Sequence, residues 1–219
     1  MNGVARVSSG EQAALHIRRL IFDGELRPGA RVPQDEIAQT LGISRIPVRE
    51  ALIALEREGW VSIEMHRGAF VSAIDADAVR DHYELLGLVH GFAACRALSR
   101  EGPALAARLE GIAAGVAATD DPLELGDLSM RFMATTVDAA HSPRVKVVLR
   151  AMSALVPGPF FAEVPAACEP QKKGVAAIMR AVRRSDGARA AEEYLRLMRR
   201  VGDTVVEVFE ARGLFDAAA

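Results

Sequence analysis

The sequence predicts a mainly α-helical protein in which three helices and a small β-hairpin precede an all-α C-terminal helical bundle of about six helices. Apolar residues recur at helical spacing along most of the chain, and they alternate with a period of two only around residues 60–73. Half of the 219 residues are hydrophobic and 26% are charged, which is the composition of a folded globular protein. A chain of this length favours either one compact core with a smaller module or two small domains, and we expect two domains.

Three helices are predicted before the hairpin. Residues 11–23 place apolar side chains at helical spacing, and a turn follows at residues 26–29. A short second helix is predicted over residues 34–40. Ser44 is predicted to cap the third helix, which runs to about Glu58 and buries one apolar face. The side chains predicted to be buried on that face are Val48, Leu52 and Leu55.

The hairpin is predicted where the helical pattern stops. Residues 60–65 alternate between the two faces of a strand, and residues 69–73 supply the return strand. His66, Arg67 and Gly68 form the tip between them. The hairpin completes the first domain, which is predicted to end at residue 74.

Residues 75–219 are predicted to form a second, all-helical domain, because no strand pattern returns after Asp75. Residues 156–170 are expected to form the one long irregular segment, which is partly ordered over the bundle because Phe160 and Phe161 favour burial. The helices are predicted over residues 76–99, 103–118, 122–140, 143–156, 169–185 and 187–213.

The charge balance excludes a general attraction of the whole protein to nucleic acid. The net charge is −2, and residues 1–74 carry nine basic and nine acidic side chains. Binding to DNA therefore has to depend on where individual arginines lie. No apolar run is long enough to span a membrane and no signal peptide is visible, which predicts a cytoplasmic protein with no membrane partner. Cys95 and Cys168 are expected to be buried thiols, without a disulfide, a zinc cluster or another cofactor.

Residues 37–52, IAQTLGISRIPVREAL, have the spacing of a helix-turn-helix. With the apolar face of the third helix buried, Arg45 and Arg49 lie one turn apart on its exposed face. Guanidinium groups in this position reach guanine O6 and N7 in the major groove, or neighbouring phosphates. In a winged helix-turn-helix the hairpin tip, which here carries Arg67, lies over the backbone or the minor groove. His66 beside it is either a phosphate contact or a turn residue without function.

The segments LRPGARV, IAQTLGISRIPVREAL, LEREGWV and RGAFV occur in this order. Residues 11–73 thereby resemble the winged helix-turn-helix of GntR-type bacterial transcription regulators, and the all-α remainder is similar to the FCD-type ligand-sensing domain of the FadR-like branch. That family commonly has a basic residue where this chain has Asp35, which is left out of the predicted site and is expected to cap its helix. The resemblance implies contacts to double-stranded DNA by Ser44, Arg45, Ile46, Pro47, Arg49, Arg67 and Gly68.

Many FCD domains hold a divalent metal with one Asp and three His, and the resemblance locates the four corresponding positions in this chain. They fall at Ser129, Met133, Val175 and Leu197. Thioether and aliphatic side chains do not bind such metals, so no metal is expected. The same positions are predicted to line a pocket for a largely apolar small-molecule effector, with Arg96 or Arg150 available to an acidic one.

Because one recognition helix reads only a few base pairs, we expect a homodimer that binds an inverted-repeat operator as a ligand-responsive repressor. One alternative is a DNA-binding dimer with a degenerate sensor domain and no effector. An enzyme is the rival class, but none of the motifs GxSxG, P-loop, HExxH or GxGxxG occurs. The sequence therefore predicts a DNA-binding transcription regulator and not an enzyme.

Overall fold

The computed structural model describes residues 8–152 and 155–215. They fall into two compact units, one made of the chain up to Asp75 with the residues from Phe209 onward, and the other of Ala76–Val208. The predicted second domain took in everything after residue 74, whereas the structure groups the end of the chain with the first unit. Phe209 accounts for this difference, because its ring packs edge-on against that of Phe22 with the centroids 5.9 Å apart.

Up to Asp75, the first unit has three helices followed by a two-stranded antiparallel hairpin, as predicted for a winged helix-turn-helix. In this hairpin, hereafter the wing, Val61 pairs with Val71 and Glu64 with Gly68. Gly68 was predicted as the last residue of the tip. In the structure it is the first residue of the return strand. The elements are α1 (Ser9–Phe22), α2 (Gln34–Leu41), α3 (Arg45–Arg57), β1 (Val61–Glu64) and β2 (Gly68–Val71).

Local sequence explains where α1 begins and how it is held. The Ser8 hydroxyl accepts a hydrogen bond from the Glu11 N–H, and the Glu11 carboxylate accepts one from the Ser8 N–H, which forms a capping box. Farther along α1, Arg18 pairs with Glu58 directly after α3. The predicted apolar face of α3 is confirmed: Val48, Leu52 and Leu55 are all buried.

The second unit contains helices and no strand among its described residues. None of the helices described is long and apolar enough to cross a membrane. The elements are α4 (Ala76–Glu101), α5 (Pro103–Ala118), α6 (Pro122–Ala139), α7 (Pro143–Ala151), α8 (Phe160–Glu163), a 3₁₀ turn at Pro165–Ala167, α9 (Cys168–Arg183) and α10 (Gly187–Ala211), of which the last few residues belong to the first unit.

One expectation for this region is corrected. The helix predicted over residues 143–156 ends at Ala151, and the end of that range lies partly outside the described residues. The segment 156–170 is partly ordered, as expected, and contains α8, the 3₁₀ turn and the start of α9. Pro170 lies in the first turn of α9, where the missing N–H leaves no helical hydrogen bond unmade. The described part of this region thus has seven α-helices, one of them a single turn, against the six predicted.

Helices α4 and α10 run antiparallel and approach closely at small residues. A Cβ placed on Gly87 would lie 2.9 Å from the Cα of Leu195, and one on Gly91 would lie 3.0 Å from the Cα of Ala191. Cys95 continues this row, and its thiol lies 3.0 Å from the carbonyl oxygen of Gly187, to which it donates. Both cysteines are free thiols and are half-buried, so the prediction that they are fully buried is wrong.

Candidate nucleic-acid interface

The turn between α2 and α3 places the two helices as a helix-turn-helix. Gly42 ends α2 with a φ of 65°, a left-handed conformation that a side chain would strain. The turn at Gly42 orients the two helices so that Ile37 and Ala38 of α2 and Val48 of α3 are all buried in the first unit. The opposite face of α3 is left exposed to solvent.

The predicted DNA-contacting residues of α3 lie on that exposed face. Arg45 and Arg49 are exposed one turn apart, and the side chain of Ile46 is 68% exposed. Pro47 is half-buried in the first turn. Ser44 stands at the N-cap, but its hydroxyl makes no capping hydrogen bond, so the prediction that its side chain caps the helix is wrong.

Asp35 joins this group, although it was left out of the predicted site. It lies in the first turn of α2 and does not cap it, which corrects the expectation that it would. Its Oδ1 instead accepts a hydrogen bond from the Nε of Arg45, the first residue of α3. This bond raises the pKa of the Arg45 guanidinium above its ordinary value.

The wing is tied to α3 by a side chain of that helix. The Glu56 carboxylate accepts a hydrogen bond of 2.8 Å from the Ile63 N–H of β1. At the tip, His66 is left-handed with a φ of 62°. Arg67 pairs with Glu64, and its guanidinium carbon lies 5.5 Å from the centroid of the Phe70 ring. Arg67 is therefore exposed, but its side chain is held by Glu64 and by the Phe70 ring.

A groove of about 230 Å³ lies between α3 and the wing. Arg49 supplies its charged side chain, and within the described part of the chain Arg49 has no carboxylate partner. The lining residues are Gln34, Arg49, Leu52, Ile53, Ile63, Gly68 and Ala69. The groove brings Arg49 and Gly68 of the predicted site together.

Arg31 is a candidate that the sequence reasoning missed. It forms a bridge with Phe70, and a Cβ on Gly68 would lie 3.0 Å from its Nε. Its side chain thus lies beside the start of β2, and it pairs with no carboxylate among the residues described. The segment LRPGARV contains this arginine, but only the pairing with β2 shows that it lies beside the wing.

In the second unit, the four positions matched to metal ligands do not share one environment. Ser129, Val175 and Leu197 are buried, whereas Met133 is half-buried. Leu197 packs against Gly174, next to Val175, so that a Cβ on this glycine would lie 2.5 Å from the Leu197 Cδ1. No three His, Cys, Asp or Glu side chains lie close enough to hold a metal ion in residues 8–152 and 155–215.

The two arginines suggested for an acidic effector lie at the surface of the unit. Arg96 stacks over Phe92 on α4, with its guanidinium carbon 5.3 Å from the ring centroid, and Arg150 is exposed on α7. Their exposure gives no support to a place in the same pocket as Ser129, which is only 2% exposed.

Polar groups are nevertheless buried inside the second unit. His90 stacks on Tyr194, and the Tyr194 hydroxyl donates a hydrogen bond of 3.1 Å to Thr136. Burial lowers the pKa of His90 to about 4, so the ring is neutral at pH 7. The Ser129 hydroxyl and the Gln171 amide nitrogen are buried and have no hydrogen-bond partner among the residues that the structure describes. Sequence reasoning missed the buried pair of His90 and Tyr194, since no local pattern predicts a stack between α4 and α10.

Comparison with known proteins assigns both regions. A family model for bacterial regulatory proteins of the gntR family matches residues 9–71, and a model for the FCD domain matches residues 81–200. An uncharacterized HTH-type transcriptional regulator of Mycobacterium tuberculosis is 34% identical over 155 residues, which are 71% of this chain and 64% of that protein. Another, YdhC of Bacillus subtilis, is 26% identical over 64% of each chain. The matched part is therefore less than two thirds of the length of either relative.

The fold is also similar to that of solved structures. Escherichia coli McbR/YncC superposes with a TM-score of 0.61 over 94% of this chain and 99% of that one, at 17% identity. A putative transcriptional regulator GntR from Rhodococcus sp. RHA1 gives a TM-score of 0.56 at 23% identity, over 92% and 98% of the two chains. With both of its regions matched in the order predicted, the chain belongs to the gntR family of bacterial regulatory proteins and carries an FCD domain.

Proposed function

We propose that this protein is a transcription regulator that binds an inverted-repeat operator in double-stranded DNA as a homodimer. The observation that carries the proposal is the exposed face of α3, where Arg49 stands without a carboxylate partner among the described residues, in a groove bounded by the wing. An unpaired guanidinium on the outer face of a recognition helix is the group that reads guanine in a major groove.

The site residues take different roles in this proposal. Arg45 and Arg49 contact base edges, and the exposed Ile46 is suited to the methyl group of a thymine. Ser44 has a hydroxyl that its own helix does not use, and it donates to a phosphate. Pro47 sets the first turn of α3 beside these groups.

The wing contributes Arg67 of its tip and Gly68, the first residue of β2, to contacts with the DNA backbone. Arg67 offers a positive charge, and Gly68, with a φ of 113° and no side chain, lets the backbone of the wing approach closely.

A homodimer follows from the size of the site. One α3 helix covers only a few base pairs, and a two-fold pair of helices doubles the sequence that is read. We propose that the dimer acts as a repressor, because a protein that occupies the operator blocks transcription. We also propose that it acts in the cytoplasm and has no catalytic activity. Sedimentation that finds a monomer both free and on DNA would contradict the dimer.

The second unit is proposed to bind a largely apolar effector. The buried Ser129 hydroxyl and the buried Gln171 amide nitrogen have no hydrogen-bond partner in the described part of the chain, which favours a ligand that supplies hydrogen bonds. The close packing of Leu197 on Gly174 favours the second candidate, a degenerate sensor whose interior is filled by its own side chains.

The test of DNA recognition compares Arg49→Ala with Arg57→Ala, which removes the same charge from the far end of α3. Sequences enriched by the wild-type protein from a randomised duplex library serve as the specific probe, and shuffled duplexes as the non-specific one. Arg49→Ala should weaken specific binding by about 1–3 kcal/mol and non-specific binding little. Equal losses on both probes would assign Arg49 to a phosphate, and a wild-type protein that enriches no sequence would contradict the proposed function.

A further inference from the structure

Asp35 is an acidic side chain on the face of the first unit that is proposed to meet DNA. A carboxylate that faces phosphates weakens binding unless it has another task. Here its Oδ1 accepts from the Nε of Arg45, and within the described residues it has no other partner. The pair joins the first turn of α2 to the first residue of α3.

The atoms used in this pair decide what remains for DNA. A guanidinium has five N–H donors in a planar fork, and the contact to Asp35 uses the one on Nε. The outer edge, formed by the two terminal nitrogens, makes no hydrogen bond to the described part of the protein. That edge has the spacing required for a bidentate contact to guanine O6 and N7.

Exposure determines when the pair matters. The side chains of Arg45 and Asp35 are 59% and 64% exposed, so in the free protein the pair is screened by water and contributes little to stability. When DNA covers this face, water leaves and the same hydrogen bond strengthens. It then restricts a long, flexible side chain to one orientation at the time the base is read.

We propose that Asp35 is a positioning residue, which fixes the guanidinium of Arg45 by its Nε and thereby makes Arg45 selective for a guanine in each half-site. The inference rests on the proposed function, since it needs α3 to lie in the major groove. In this proposal the Asp35 carboxylate has two effects. It repels phosphates equally on every DNA, which opposes non-specific binding, and it orients Arg45 only for the matching base, which determines the sequence preference.

Glu36 provides the matched control for charge. It is exposed in the same first turn of α2, directly after Asp35, and it makes no hydrogen bond or ion pair in the described structure. Glu36→Gln therefore removes one negative charge from the same place without touching Arg45. Asp35→Asn removes the charge but keeps an oxygen that accepts from Nε, and Asp35→Ala removes both.

The experiment selects sequences from a randomised duplex library with the full-length wild-type protein, and then measures affinities for the selected duplex and for duplexes with each guanine replaced. Asp35→Ala should reduce the preference for one guanine per half-site by about tenfold while its affinity for shuffled DNA rises. Asp35→Asn should keep part of that preference, and Glu36→Gln should keep all of it. In the Arg45→Ala background, Asp35→Ala should have no further effect on the preference, because the two side chains act as one unit.

Two results would overturn the inference. In one, Asp35→Ala, Asp35→Asn and Glu36→Gln all tighten binding alike and leave base preferences unchanged, which means that Asp35 acts only by its charge. In the other, the wild-type protein selects a sequence in which no guanine depends on Arg45. Failure of the proposed function is distinct, because the wild-type protein then selects no sequence at all. If Asp35→Ala does not fold by circular dichroism, Asp35→Asn decides between these results against Glu36→Gln.

Discussion

Replacing Gly87 of α4 by alanine should destabilise the second unit, whereas the same change at Gly111 of α5 should stabilise it. A Cβ on Gly87 would meet the Cα of Leu195 at 2.9 Å and the Met198 Cβ at 3.2 Å. The first of these atoms is backbone, which cannot turn aside as the end of a side chain can. A Cβ on Gly111 would meet nothing within 4 Å.

The magnitudes follow from two opposing effects. Overpacking a close helix contact costs about 1–3 kcal/mol, and a backbone neighbour puts Gly87 at the upper end of this range. Replacing a helical glycine by alanine gains about 1 kcal/mol at either position. The free energy of unfolding should therefore fall by about 2 kcal/mol for Gly87→Ala and rise by about 1 kcal/mol for Gly111→Ala.

Urea unfolding followed by far-ultraviolet circular dichroism measures the difference, since the second unit contains most of the helical residues. With a denaturant dependence of about 2 kcal/mol per molar urea, the two midpoints should differ by about 1.5 M. Equal midpoints would show that α4 and α10 do not approach as closely as the glycine positions indicate.

Three further outcomes are expected. Arg67→Ala should weaken binding to specific and shuffled DNA alike and should reduce the slope of log affinity against log salt by about one, and an unchanged slope would remove the wing from the phosphate contacts. Burial lowers the pKa of His90 to about 4 from 6.5, so the unfolded chain takes up the proton first. Stability that is complete above pH 6.5 should therefore decline by up to about 3 kcal/mol towards pH 4. His90→Phe should flatten this decline to the part due to His82, whose pKa burial also lowers, and an equally steep decline in the variant would contradict the assignment. Elemental analysis of protein purified without a histidine tag should find less than about a tenth of an equivalent of zinc, nickel or manganese, whereas one equivalent after dialysis would contradict the placement of the four ligand positions.

The elements of the first unit could be predicted because their signals are local. The buried face of α3 follows from Val48, Leu52 and Leu55 at helical spacing, and the wing follows from a change of period after Gly59. Both depend on residues within a few positions of one another. The sequence therefore sufficed to place Arg45 and Arg49 on the exposed side of α3.

The electrostatics of the same surface could not be predicted, because they depend on contacts between elements. Asp35 and Arg45 are ten positions apart, and only the path of the turn at Gly42 decides that the carboxylate reaches Nε instead of capping α2. Arg31 is brought to the wing by a bridge to Phe70, which no pattern around residue 31 encodes. The spacing of apolar residues predicts whether a side chain is buried or exposed, whereas the tertiary fold determines which side chain it contacts.

The interior of the second unit extends this argument to the four positions that the resemblance matches to metal ligands. A histidine at position 197 would need space for an ion, whereas Leu197 is 1% exposed and touches Gly174, a residue whose lack of a side chain makes that contact possible. The side chain at position 197 is thus fitted to the packing of α9, so we expect that introducing histidine at this position alone would not create a metal site. Three buried polar groups of the same unit, His90, Tyr194 and Thr136, are neutral at pH 7. The proposed effector is therefore expected to be a neutral, largely apolar molecule with one or two hydrogen-bonding groups, because an ion buried among these groups would be left unpaired.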